Sequence, residues 1–326
     1  MTFAISRSPG TLAGDDRFDL GAWAMLSPDY AAWAREASVL AGELERGLHN
    51  GELFAVIQPR MALVPGGGVR LAGAEMLARW CHPQRGLVSP GQFIPIAEVT
   101  GLIEPLGDFM LETAARTLAG WLARDGQATG LAVNLSARQF SSSKLPLRLA
   151  RLRSDYGLPP GLIELEVTES TAMRDADRTE AVLGELRTVG VPVSIDDFGT
   201  GFSSLAYLRR FQVDALKIDK SLIDDLGVDP HANAVCNAIV QLGRSLDIKV
   251  VAEGVEHVRQ LDYLRHARCD EIQGYIFSRP LDADVFERAW LRPSRVVPAS
   301  REAPRSGSDG IAAVVAAAQQ LERADA

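Results

Sequence analysis

The chain has 326 residues, 47% hydrophobic and 23% charged, enough for one barrel-sized domain or two small ones. A formal net charge of -8 excludes a polymeric nucleic-acid binder held by bulk positive charge. Cys81, Cys236 and Cys269 lie too far apart in sequence for a CxxC pair, so neither a disulfide framework nor a zinc cluster is expected.

Residues 1–10 lack the apolar core of a signal peptide, and no stretch is long and apolar enough to span a bilayer. A reducing, cytoplasmic location away from membranes is the expectation. Residues 1–35 read as an N-terminal extension. A helix is predicted from about Arg35 to Leu48, where Leu40, Leu44 and Leu48 recur every four residues and Asn50-Gly51 stops it.

From Leu53 the pattern alternates between short strand-like runs and amphipathic helical stretches. The predicted strands are Leu53–Ile57, Val69–Leu77, Leu131–Leu135, Leu162–Val167, Val191–Ile195, Ala215–Ile218, Ile248–Ala252 and Glu271–Tyr275. Eight such units over roughly 250 residues predict an α/β fold, a (β/α)8 barrel of the TIM type. The first two strands are joined through Pro65-Gly66-Gly67-Gly68, which makes them antiparallel and the barrel a modified one. Residues 292–326 read as a flexible tail: a Pro-, Ser- and Arg-rich linker over 292–310, then an Ala-rich stretch suited to a short helix.

Barrel enzymes carry their chemistry at the C-terminal ends of the strands. Here the strands end, in order, on Gln58; Glu75 with Arg79 beyond it; Asn134; Glu166 with Glu169; Asp196-Asp197; Lys217 with Asp219; Glu253 with Glu256; and Gln273. Each, taken singly, suits a solvated residue or a salt-bridge partner. Eight together form an oxygen-rich ring whose buried charge needs cations. With no His or Cys among them, the donors favour Mg2+ or Mn2+ over zinc, and two such ions suit in-line displacement at phosphorus.

Lys217, the cation of the ring, either orients an attacking water or offsets carboxylate charge. Glu253 serves as a metal ligand or as a general base. A two-residue period places Arg79 on the same face as Glu75, where its fork suits a substrate phosphate. The segment Asp197-Phe198-Gly199-Thr200-Gly201-Phe202-Ser203-Ser204 reads as a flexible active-site loop that communicates with a partner subunit, with Ser203 or Ser204 capping the next helix.

Over about residues 36–291 the chain resembles the EAL family of cyclic di-GMP phosphodiesterases. The motifs are Gln58-Pro59; Glu75-Met76-Leu77 with Arg79-Trp80 and His82-Pro83; Phe93-Ile94-Pro95-Ile96-Ala97-Glu98; Asn134-Leu135-Ser136; Glu166-Val167-Thr168-Glu169; Asp196-Asp197-Phe198-Gly199-Thr200-Gly201; Lys217-Ile218-Asp219; Ala252-Glu253-Gly254-Val255-Glu256; and Gln273-Gly274-Tyr275.

The resemblance implies hydrolysis of cyclic di-GMP to linear pGpG with two Mg2+ or Mn2+ per site. The metals would be held by Glu75, Asn134, Glu166, Asp196, Asp197 and Glu253. It further implies catalytic roles for Lys217, Glu253 and Gln273, substrate contacts from Gln58 and Arg79, a loop anchor at Glu169, and a homodimer. Met76 replaces the signature Ala, Ile57 a common aromatic and Leu222 a common Phe; by parity Met76 points away from the site. The rival expectation is a non-hydrolytic cyclic di-GMP receptor or scaffold. Such proteins usually lose metal ligands, and this chain retains them all.

Overall fold

A computed structural model describes residues 28–64, 68–201 and 205–292. The first helix, α1 (Pro28–Asn50), begins before the predicted Arg35 and ends at Gly51, whose φ of +74° only glycine adopts without strain. Residues 28–35 of the expected extension are therefore helical. The expected linker and Ala-rich stretch after residue 292, and the cap at Ser203 or Ser204, lie outside the described residues.

Strands β1 (Leu53–Leu63) and β2 (Val69–His82) form the predicted antiparallel hairpin, paired from Leu53 opposite Trp80 to Leu63 opposite Val69 with one register shift between Arg60 and Met61. A short β3 (Gly86–Val88) folds back on the outer end of β2. Three residues are too few to show a period, so this strand left no sequence signal.

Next come β4 (Gly130–Leu135), β5 (Ile163–Thr168), β6 (Val193–Phe198), β7 (Ala215–Ile218) and β8 (Lys249–Ala252), each parallel to its neighbour. The last, β9 (Glu271–Gln273), runs parallel to β8 and antiparallel to β1, closing the sheet into an eight-stranded barrel with β3 outside the ring. All eight predicted strands are present, and the antiparallel strand is β1.

Helices wrap the barrel between strands. They are α2 (Pro90–Thr100) and α3 (Ile103–Asp125), α4 (Ala137–Phe140) and α5 (Leu145–Asp155), α6 (Glu169–Arg174) and α7 (Ala176–Val189), α8 (Leu205–Leu208), α9 (Lys220–Ile223) and α10 (Pro230–Leu246), α11 (Val258–Ala267) and α12 (Ala283–Phe286), which runs into a π-turn at Glu287–Leu291. Several start on a residue that satisfies free backbone N–H groups: Ser136 with Gln139 forms a capping box at α4, and the Asp229 carboxylate accepts from His231 and Ala232 at α10.

Strand alternation divides the barrel cleanly. Val133, Leu135, Leu165, Val167, Val193, Ile195, Leu216, Ile218, Val250 and Ala252 point outward into the apolar shell beneath the helices. Apart from Val251, the inward positions between them are small or polar, among them Ala132, Asn134, Glu164, Glu166, Ser194, Asp196, Ala215 and Lys217. Met76, 1% exposed, lies in the outward shell opposite Ile57, as its parity requires.

A second apolar cluster holds α1 to the barrel. Leu40 and Leu44 pack with Leu53, Trp80, Val88, Phe93, Ala97, Ile103 and Leu106, and the Trp80 indole N–H donates to Glu52 at 3.0 Å. Leu44→Ala therefore lowers the unfolding free energy by about 2–5 kcal/mol, the usual range for a buried Leu. Denaturant titration checks it. A change below about 0.5 kcal/mol, typical of surface positions, would show that α1 does not belong to the folding unit.

Candidate active site

The inward residues at the C-terminal ends of the parallel strands converge on one buried ammonium. Lys217 on β7 is completely buried. Its Nζ lies 2.5 Å from Glu253, 2.6 Å from Glu166 on β5, 3.4 Å from Asp196 on β6 and 3.9 Å from Glu75 on β2. Glu75 is held on both oxygens: Asn134 Nδ2 of β4 donates to one at 2.6 Å, and Gln273 Nε2 of β9 to the other at 2.6 Å. The same Gln273 amide lies 3.2 Å from Gln58 Oε1 on β1, and Gln58 in turn donates to the Ser278 carbonyl at 3.1 Å. Every strand of the closed ring thus supplies a group.

Glycines and turns set these positions. Beside Gln273, a Cβ on Gly274 would stand 2.1 Å from the Val255 carbonyl oxygen, so only glycine lets the chains cross there. Asp197 adopts φ +55°, a left-handed conformation at the end of β6, and its N–H donates to Asp196 Oδ1 at 3.0 Å. Such strain in a non-glycine residue is characteristic of functional sites.

The electrostatics are dominated by burial. It pushes Glu253 up to about 8 against the pull of Lys217, with Asp196 and Glu75 adding repulsion. It pushes Glu166 well above the usual carboxylate range for the same reasons, and Asp197 up to about 6, with Asp196 and Asp219 repelling it. Burial also opposes ionisation of Glu75, yet Lys217 and the donors Gln273 and Asn134 hold its carboxyl below the usual range. Lys217 pays desolvation too, but the surrounding carboxylates keep it charged.

Ionised, Glu75, Glu166, Asp196, Asp197 and Glu253 carry five negative charges against one ammonium. The remaining four equal the charge of two divalent cations. Glu166 Oε1, fully buried, accepts no hydrogen bond from any described residue. Among the described residues no group of three or more His, Cys, Asp or Glu side chains is arranged to hold a metal ion as it stands; the Lys217 ammonium occupies the point on which the carboxylates converge. The all-oxygen donor set, the orphaned oxygen and the charge deficit together fit hard divalent ions.

The other sequence-chosen residues fall in three places. Glu169 opens α6, and its Oε2 accepts from the Gly199 N–H at 3.0 Å, tying α6 to the loop after β6. Leu222 lies against the same glycine: a Cβ there would stand 2.7 Å from Leu222 Cδ1. Arg79 is half-buried near Tyr275 and Glu75 and donates to the Ala78 carbonyl at 2.8 Å. Asp219 and Glu256 are not in the ring. Asp219 caps α9, accepting from the Ser221 N–H at 3.0 Å, and Glu256 pairs with the exposed Lys220 at 3.0 Å.

Sequence reasoning missed the floor beneath the ring. Arg60, Glu164 and Glu271 lie there, all buried. The two-residue period was the available signal, because each stands two positions from a ring residue: Gln58, Glu166 and Gln273.

These shifts give a signed pH dependence. Glu253 rises from 4.5 to about 8 on folding, so between those values the folded chain keeps a proton that the unfolded chain has lost. That contribution to stability is complete below about pH 4.5 and is lost as pH rises through 8. The melting temperature in chelator therefore falls from pH 5 to pH 8, by roughly 2–4 °C per kcal/mol. Added Mn2+ raises it more at pH 8 than at pH 5. A flat profile with no cation effect would contradict this electrostatic description.

The EAL domain profile matches residues 41–280. The chain is 45% identical over 253 residues to the bifunctional diguanylate cyclase/cyclic di-GMP phosphodiesterase MucR of Pseudomonas aeruginosa, covering 77% of this chain and 36% of that protein. It is 41% identical over 253 residues to the cyclic di-GMP phosphodiesterase NbdA of the same species, covering 78% of this chain and 32% of NbdA. It thus spans about a third of the length of these curated relatives. The solved PaMucR phosphodiesterase in complex with c-di-GMP superposes with a TM-score of 0.71 at 44% identity, over 75% of this chain and 98% of that one. With the match running from within α1 past Gln273, and so through every strand that feeds the ring, the chain belongs to the EAL domain family.

Proposed function

We propose that this chain hydrolyses cyclic di-GMP to linear pGpG, using two Mg2+ or Mn2+ held by Glu75, Asn134, Glu166, Asp196, Asp197 and Glu253. The observation that carries the reading is the complete ring of carboxylates around buried Lys217. Likeness to relatives named as cyclic di-GMP phosphodiesterases supports it. The catalytic unit is residues 36–291, acting in the cytoplasm as a homodimer.

Bound cations would supply charge for the phosphodiester oxygens and lower the pKa of a water. The chain's own residues do the rest. Gln273 and Asn134 fix the Glu75 carboxylate, so its geometry is set before substrate arrives. Lys217 donates to Glu166 at 2.6 Å and pairs with Glu253 at 2.5 Å, so its ammonium would stabilise negative charge that develops among these carboxylates. Glu253, pushed up to about 8, is suited to take a proton near neutral pH when it is not held as a ligand. Gln58 and Arg79 contact the substrate, with the Arg79 fork on a phosphate. Glu169 anchors the loop after β6, the segment through which a partner subunit would act.

Chromatography of cyclic di-GMP incubated with protein and Mn2+ tests the reading, with Glu75→Ala as control. Conversion to pGpG by wild type and not by Glu75→Ala is the expected result. Substrate that binds but survives intact would make the protein a receptor. Lys217→Ala lowers kcat by about 10²-fold or more while leaving substrate affinity within a few-fold; a loss confined to affinity would reduce Lys217 to a binding group. Ca2+, larger and looser in coordination, inhibits; turnover equal to that with Mg2+ would argue against two metals.

A further inference from the structure

The guanidinium of Arg60 is buried inside the barrel, one inward layer below the ring. It grips Glu164 with a two-pronged contact, Nη2 to Oε2 at 2.6 Å and Nη1 to Oε1 at 3.2 Å, and its Nε lies 2.7 Å from Glu271. Nη1 also faces Glu166 Oε1 at 4.0 Å, the oxygen that accepts no hydrogen bond from any described residue. Glu166 therefore sits between two buried cations, Lys217 above and Arg60 below.

The surrounding backbone makes room for this arrangement. The β1–β2 register shifts between Arg60 and Met61. Opposite Arg60, Gly73 leaves the space the guanidinium fills: a Cβ there would stand 2.8 Å from Nη2. The strands tied together by Arg60 are β1, β5 and β9. The inward residues one step above on those strands are Gln58, Glu166 and Gln273. Lys249, mostly exposed, closes the lower end by pairing with Glu271 at 3.3 Å.

Stability alone is a poor reason for such a cluster, since apolar residues of similar volume usually serve a core as well as a buried ion pair. We propose that Arg60 is a positioning residue for the catalytic centre, fixing the Glu166 carboxylate and the registers of β1, β5 and β9 so that the ring presents its oxygens to cations. This rests on the two-metal reading above. Residues that orient ligands in this way typically change metal affinity or activity by 10–100-fold.

The test compares wild type with Arg60→Met, which removes the charge, Arg60→Lys, which keeps the charge but loses the fork, and Gly73→Ala, which displaces the guanidinium without altering any charge. Mn2+ affinity is measured by paramagnetic titration, with kcat and KM for cyclic di-GMP, at a temperature where melting curves show each variant folded. Arg60→Met weakens Mn2+ binding roughly 10–100-fold and lowers kcat with little change in KM. Arg60→Lys and Gly73→Ala fall between it and wild type, and they carry the test if Arg60→Met does not fold. Variants that melt earlier yet keep wild-type Mn2+ affinity and kcat would overturn the positioning role and leave the proposed function standing. Failure of wild type itself to bind Mn2+ would instead overturn the two-metal reading, and this inference with it.

Discussion

One buried ammonium organises this protein. Lys217 has no access to solvent, and burying a lysine is unfavourable unless carboxylates repay the lost hydration. The ring repays it several times over, with Glu253, Glu166, Asp196 and Glu75 all within 3.9 Å. The excess negative charge is the constraint that follows. Left alone, the ring must hold protons, as the raised Glu253, Glu166 and Asp197 indicate. Supplied with divalent cations, it can ionise fully.

The fold makes that concentration of charge sustainable. Outward-facing Val, Leu and Ile residues fill a continuous apolar shell beneath the helices, so the inward positions need not contribute to the hydrophobic core. Directly below the ring, Arg60 is matched by its own carboxylates, Glu164 and Glu271, and leaves the ring's excess charge in place. Glu75 and Glu166 are buried on either side of Asn134, which is exposed, while Asp196, Asp197 and Glu253 are partly so. The ring therefore opens toward solvent at Asn134, Asp196, Asp197 and Glu253.

Much of this was legible in the sequence, for physical reasons. Strands buried on one face by helices read as Val- and Ile-rich runs, and the polar residue that ends each run stood out against them. Parity correctly turned Met76 away from the barrel interior. The Pro65-Gly66-Gly67-Gly68 stretch signalled the antiparallel start. What stayed hidden depended on three-dimensional closure. Arg60, Glu164 and Glu271 look like ordinary surface charges in a linear reading, and only barrel closure brings β1 beside β9 and buries them together. Asp219 and Glu256 show the converse: they follow their strands in sequence, yet the chain has turned away by then, and they serve a helix cap and a surface ion pair. The three-residue β3 was too short to carry a pattern.

The central claim is that the charge left over around Lys217 is matched by two divalent cations. Counting Mn2+ bound per chain at equilibrium near pH 8 tests it most directly. Two ions per folded chain, reduced in Glu75→Ala, is the predicted result. No specific Mn2+ binding by the wild-type chain would contradict it and would mean that protons and Lys217 alone balance the ring.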